Sequence, residues 1–188
     1  MKKYILLIIV AFSFVLFSCE DDKTEPGGTA VEKMAGDWWV TYQSSVEEYN
    51  YLFGGEGSMP SVDNIENWTW DYVYSDAHSL LFTYNTAANT ADSMFISDDG
   101  AYWDFKAKVG VNYPKRIFAN SSSIPNLSYD SSVEIIGGKI LEGAATSPSG
   151  MPVDSIVFYI KFSDDSYGFT YTKVSGFRRT GFPADEFE

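Results

Sequence analysis

The chain has 188 residues and a formal net charge of −13, with 13 Lys and Arg against 26 Asp and Glu. That balance excludes the basic surface a nucleic-acid binder needs, while a single Cys and a single His exclude an intrachain disulfide and any multi-Cys or multi-His metal site. Hydrophobic residues make up 45% and aromatics 17%, which is too apolar for a disordered acidic chain and enough for one packed core.

Lys2 and Lys3 precede an almost unbroken apolar run from Tyr4 to Phe17. The run is shorter than the roughly 20 residues a spanning helix needs. It stops at Leu16-Phe17-Ser18-Cys19, a small residue followed by the only cysteine. This pattern resembles a bacterial lipobox, with Phe17 bulkier than the residue usual at its position. Residues 1–18 therefore read as a lipoprotein signal peptide, and Cys19 as an acylated N-terminus anchored to the membrane without spanning it. Each buried methylene contributes roughly 0.8 kcal/mol, so two or three acyl chains hold such a protein essentially permanently. Glu20-Asp21-Asp22 resembles the surface-export signal of Bacteroidota lipoproteins, with a plain solvated linker as the alternative. Residues 19–33 form a tether containing Pro26, Gly27 and Gly28; its last 14 residues reach roughly 20 Å as a flexible chain. Removal of residues 1–18 leaves 170 residues with a net charge of −15. The expected address is the outer membrane, with the surface and periplasmic leaflets both open.

Residues 34–188 read as one domain, and from Gly36 onward the pattern has a period of two. Trp38, Val40 and Tyr42 alternate with Trp39, Thr41 and Gln43. Leu80, Phe82 and Tyr84 alternate with Leu81 and Thr83, and Met94 and Ile96 with Ser93, Phe95 and Ser97. Trp103, Phe105, Ala107 and Val109 form the next run. Val133–Ile136 and Lys139–Leu141 flank Gly137-Gly138, which reads as a hairpin turn. Ile156, Phe158, Ile160 and Phe162 follow, then Phe169, Tyr171 and Lys173. Asp98-Asp99-Gly100, Ser147-Pro148-Ser149-Gly150 and Ser163-Asp164-Asp165-Ser166 supply turns. This predicts an all-β domain of eight to ten antiparallel strands, a barrel or a sandwich. Residues 46–78 fit least well. Tyr49 to Pro60 reads as a long loop that either lids a barrel mouth or packs on the outer wall, and Trp68, Trp70, Tyr72 and Tyr74 alternate as in a further strand.

Gly36-Asp37-Trp38 at the head of the first strand resembles the calycin signature of lipocalin-like barrels. There the tryptophan closes the barrel base under an arginine from the last strand, a role open here to Arg178 or Arg179. The stretches 83–109, 138–165 and 174–182 resemble a family of Bacteroidota lipoproteins described as lipid-binding putative hydrolases. The resemblance implies an antiparallel calycin-like barrel of about eight strands and a hydrophobic ligand. It brings no catalytic residues.

The residues themselves offer little chemistry. No Gly-x-Ser-x-Gly elbow is present. His78 is the only histidine base available, and it sits among polar residues as a surface turn histidine would. Glu47-Glu48, Asp98-Asp99 and Asp164-Asp165 are acid pairs, the last two at turns that favour aspartate for backbone reasons. A carboxylate pair drawn from two different strands stays open as a weak hydrolase. No cofactor is implied, and no metal loop is present. Asp92-Ser93-Met94 and Asp154-Ser155-Ile156 fit an O-glycosylation acceptor pattern but fall within strand patterns.

If Trp38 points inward, the most apolar parity of each strand gives a barrel lining that includes Tyr42, Phe82, Trp103, Phe105, Phe158 and Ile160. Such bulk either lines a lipid pocket or fills the barrel. Two functions follow. One is a membrane-tethered binder of a lipid or other apolar molecule, inside the barrel or at its mouth. The other is a filled barrel acting with other outer-membrane proteins in nutrient capture, through an exposed aromatic patch for which Trp39, Tyr49, Tyr51 and Phe53 are candidates.

Overall fold

The alternating runs become ten strands: β1 (Gly36–Ser45), β2 (Trp70–Asp71), β3 (Ser79–Asn85), β4 (Ser93–Ser97), β5 (Lys106–Asn112), β6 (Ile117–Ala119), β7 (Ile124–Pro125), β8 (Ser132–Thr146), β9 (Pro152–Phe162) and β10 (Thr172–Arg178). A computed structural model describes residues 28–72 and 77–187; the leader, Cys19, the tether as far as Gly27, and Tyr74 lie outside the described residues. Strands β1-β3-β4-β5-β6-β8-β9-β10 pair antiparallel in that order, and β10 pairs back onto β1 from Trp38↔Arg178 to Gln43↔Lys173. The result is a closed eight-stranded barrel, and closure removes the exposed edges an open sheet would carry. The chain enters at the base, which also holds the β3–β4, β5–β6 and β8–β9 connections. The mouth holds the β1–β3, β4–β5, β6–β8 and β9–β10 connections.

Inward positions of β1, β5 and β9 follow the sequence pattern. Trp38, Phe105, Ile156, Phe158 and Ile160 are wholly buried, and one contiguous cluster of side chains runs from Met34 at the base to Tyr42 and Phe162 beneath the mouth. Phe118 meets Phe158 at 5.7 Å between ring centroids, and Phe105 meets Phe162 edge-on at 5.7 Å. The barrel interior is filled by its own side chains.

The base is closed by a clasp. The Arg178 guanidinium lies 4.7 Å from the Trp38 ring centroid. It donates to the carbonyls of Ala35 at 2.8 Å and Lys33 at 3.3 Å, and pairs with Asp154 at 3.3 Å. Arg179 stands 5.8 Å over Trp39 instead, so the expected arginine is Arg178. A Cβ at Gly36 would lie 2.7 Å from Arg178 Nη1, so a side chain there would displace the guanidinium. The Trp38 indole donates to Thr83 Oγ1 at 2.8 Å, and the Thr83 hydroxyl donates to the Met34 carbonyl at 2.6 Å. Val31 and Met34, on and beside the 3₁₀ turn Glu32–Met34, are fully buried, so packing begins before residue 34.

That hydrogen-bond chain corrects the expected parity of β3. Leaving the buried indole N–H unpaired would cost about 1–3 kcal/mol. Leu81 and Thr83 therefore face inward, and Phe82 lies on the outer face, opposite Asp37. Gly137-Gly138 is not a hairpin turn. β8 runs through it with a register shift between Ile136 and Lys139, and Gly138 lies beneath Phe118, whose ring a Cβ would strike. Among the described residues of the Trp68–Tyr74 alternation, Trp70–Asp71 form a strand, paired with the end of β1. Ile65 and Trp68 instead pack on Tyr159 and Tyr171 of the outer wall.

Helix α1 (Val46–Tyr49) is capped by Ser45, whose Oγ accepts the Glu48 N–H at 3.1 Å, and a π-helical turn (Asn50–Gly54) extends it. Tyr49, Tyr51 and Phe53 are exposed there. Trp39 is not; it is buried under Phe187, at 5.3 Å, and Arg179. The tail is pinned by Asp185, which accepts the Ser149 N–H at 2.6 Å and the Thr180 hydroxyl at 2.7 Å. Ser93 and Ser155 both lie within strands, β4 and β9.

Replacing Trp38 removes the ring, the cation–π contact and the start of the Thr83 chain together. Trp38→Ala should destabilise the protein by roughly 3–5 kcal/mol in chemical denaturation. A loss below about 1 kcal/mol would contradict the clasp.

Candidate functional site

Above the filled core the mouth holds a pocket of about 230 Å³. Ser44 of β1 and Thr172 of β10 form its inner edge, one alternation above Tyr42 and Val174. The β4–β5 loop brings Tyr102 and Trp103, and the β9–β10 loop brings Asp165, Tyr167 and Phe169. The Tyr102 ring stacks on Tyr42 at 3.7 Å and 7°. Trp103 stacks on Phe162 at 4.6 Å and 14°. These two stacks cap the core and floor the pocket.

The loop that carries Tyr102 and Trp103 is built around one carboxylate. Asp98 is completely buried. It accepts the backbone N–H groups of Gly100 (3.3 Å), Tyr102 (3.1 Å), Trp103 (2.7 Å), Asp104 (3.1 Å) and Phe105 (2.7 Å). Hydrogen bonds to an ionised acceptor are stronger than neutral ones, so a loop without regular structure is held in place. Asp164 ties the mouth loops together, accepting the Trp103 indole N–H at 3.2 Å and the Tyr129 hydroxyl at 2.6 Å. Burial, and then the bond to Asp164, push the Tyr129 hydroxyl up.

The electrostatics of this end are negative. Among the described residues no ion pair engages Glu48, Asp98, Asp164 or Asp165. Glu48 is fully buried; its Oε1 accepts the Thr170 N–H at 3.1 Å, and its Oε2 has no partner. Burial pushes its carboxyl up, with the charge of Asp165 adding to the shift. The Tyr42 hydroxyl is likewise buried without a partner, and burial first, then Asp98, hold it well above the ordinary tyrosine value.

The six residues read as a barrel lining separate into three groups. Phe105, Phe158 and Ile160 are core. Phe82 is outside the barrel. Tyr42 lies in the stack beneath the mouth pocket, and Trp103 lines the pocket itself, from the β4–β5 loop rather than from a strand, since β5 begins at Lys106. The sequence reading missed Ser44, Tyr102, Asp165, Tyr167, Phe169 and Thr172. A signal for them exists. In an up-and-down barrel alternate connections share an end, so the turns preceding Tyr102-Trp103 and Tyr167-Gly168-Phe169 had to meet.

A second concavity, of about 510 Å³, lies across β5, β6 and β8, where Gly110, Ala119 and Gly137 leave the wall bare beside Ile117 and Lys139. It adjoins a third near the base, with which it shares Asp92, Val111 and Asn112.

The model of a family described as lipid-binding putative hydrolase matches residues 23–183. The chain belongs to that family. No curated protein matches it. For a member of this lipid-binding family, a filled barrel moves attention from the interior to the mouth. The hydrolase part of the description finds no constellation at the mouth pocket, whose lining holds one carboxylate and no histidine. His78 stacks flat on Phe187 at 3.8 Å, in the outer-wall cluster with Phe177.

Glu48 gives the mouth a pH dependence. Its raised pKa means the folded chain holds the proton more tightly than the unfolded chain. The stability this contributes is full below the ordinary value of 4.5 and is lost as pH rises through the folded value. Glu48→Gln keeps an acceptor for Thr170. It should match the parent in urea denaturation near pH 4 and be the more stable of the two near pH 8. Equal stability at both pH values would contradict the burial argument.

Proposed function

We propose that the protein is an outer-membrane lipoprotein, held through acylated Cys19, that binds a lipid or another apolar small molecule at the barrel mouth. The family supports the class of ligand. The observation that carries the location is the pairing of a side-chain-filled interior with an aromatic-walled pocket directly above it. Aromatic walls with a few placed polar groups are the usual make-up of a small-molecule site. Phe169 lines the pocket and stands 6.1 Å from Phe53, which stands 5.1 Å from Tyr49, so apolar surface continues from the pocket onto the rim.

The tether joins the barrel at the base. Cys19 and its acyl chains then attach the protein through its base end, on a flexible tether that leaves the mouth accessible, at the surface or in the periplasm according to the leaflet.

A second reading is favoured by the exposure of Tyr49 (39%), Tyr51 (44%) and Phe53 (51%) on one short helical segment. Contiguous exposed aromatics are typical of a protein-interaction surface. On this reading the rim docks another outer-membrane protein and the pocket is incidental.

Two measurements test the proposal. Intact-mass measurement of the native protein should show a chain that begins at Cys19 and carries two or three acyl chains, a species lost in Cys19→Ser; a native chain with an unacylated Cys19 would overturn the anchor. Native mass spectrometry of the Cys19→Ser protein, after exposure to a lipid extract of the source cell, should show a discrete adduct that organic solvent removes. A clean ligand-free mass would favour the docking reading.

A further inference from the structure

The chemistry of the mouth pocket narrows its ligand. Its lining consists of four aromatic side chains (Tyr102, Trp103, Tyr167, Phe169), one carboxylate (Asp165) and the hydroxyls of Ser44 and Thr172. No Lys or Arg is among them. Trp103 is fixed by its bond to Asp164 and its stack on Phe162, and Asp165 is fixed by accepting the Tyr167 N–H at 2.8 Å. Glu48, wholly buried with Oε2 unpartnered, sits against the same β9–β10 loop.

An anionic headgroup would meet Asp165 with no Lys or Arg in the lining to receive it. A purely apolar group would leave the carboxylate side unused. A compact cation satisfies both. Ring faces attract positive charge through the aromatic quadrupole, and a ring cage with a nearby carboxylate is the arrangement that holds quaternary ammonium groups. The volume of about 230 Å³ is small for a whole lipid and suited to a headgroup. We propose that the mouth pocket is an ammonium site, taking a trimethylammonium-type cation between its aromatic rings and Asp165. This rests on the mouth reading above and gives it a headgroup. The cation is carried by a lipid or is a free small molecule, and the two sources share this chemistry.

The test uses the full-length protein in phosphatidylglycerol vesicles, which contain no ammonium group, with calorimetric titration of soluble probes. Choline should bind about tenfold or more tightly than its uncharged carbon isostere, 3,3-dimethylbutan-1-ol. Asp165→Asn and Tyr167→Leu should each weaken choline about tenfold when titrated well below each variant's own melting temperature. Dihexanoyl phosphatidylcholine binding more tightly than choline identifies a lipid source; equal affinity identifies the free cation. If choline binds and neither dihexanoyl phosphatidylcholine nor dihexanoyl phosphatidylglycerol does, the ammonium site stands and the lipid reading falls. If the two lipids bind equally, the lipid reading stands and the ammonium site is overturned. Equal binding of choline and its isostere also overturns it.

Discussion

The fold depends on how the barrel is closed below. Trp38 is a large, wholly buried ring at the base of a closed sheet, and its neighbours are arranged to cover it. Arg178 lies over its face, Gly36 makes room for that guanidinium, Thr83 takes its N–H, and Met34 takes the Thr83 hydroxyl. Each partner comes from a different part of the chain: the N-terminal turn, β1, β3 and β10. The clasp therefore ties the first and last strands together where the cylinder must close, and it sets the parity of β3. Once Thr83 faces in, Phe82 faces out.

A closed base and a filled interior leave the ends and outer wall for function. At the mouth the constraint is different in kind. The strands stop at Ser45 and Thr172, and the groups above them are carried by loops that regular hydrogen bonding does not hold. Carboxylates take over, one buried and one exposed. Asp98 gathers five backbone N–H groups, and Asp164 joins the loops bearing Trp103 and Tyr129. Because these acids are satisfied by neutral donors rather than by Lys or Arg, they position the aromatic walls and leave the end of the barrel negative.

Much of this was legible in the sequence, and the misses have physical causes. Period-two alternation located the strands, and the parities of β1 and β9 were correct because those strands are apolar on one face. β3 misled because its inward face carries Thr83, polar by itself and satisfied only through Trp38 and Met34, which alternation cannot show. Gly137-Gly138 misled because a glycine pair serves a turn and a close approach equally well, and only Phe118 decides between them. Trp39 looked like surface on strand parity, but the C-terminal tail with Phe187 covers it. Asp98 was read as a turn residue, which is true and incomplete: a local preference for Asp in turns does not reveal that the carboxylate is buried and organises the next seven residues. The choice between a ligand cavity and a solid core was open in the sequence, since large rings serve both. The packed geometry resolves it.

The central claim is that ligand binds above a solid barrel and not within it. Side-chain NMR during titration with a short-chain amphiphile tests this directly, because interior and mouth report separately. The account predicts shifts at Ser44, Tyr102, Trp103, Phe169 and Thr172 that saturate together, while the methyl groups of Ile135, Ile156 and Ile160 stay where they are. Saturable shifts at those isoleucines, with the mouth unmoved, would place the ligand inside the barrel and contradict it.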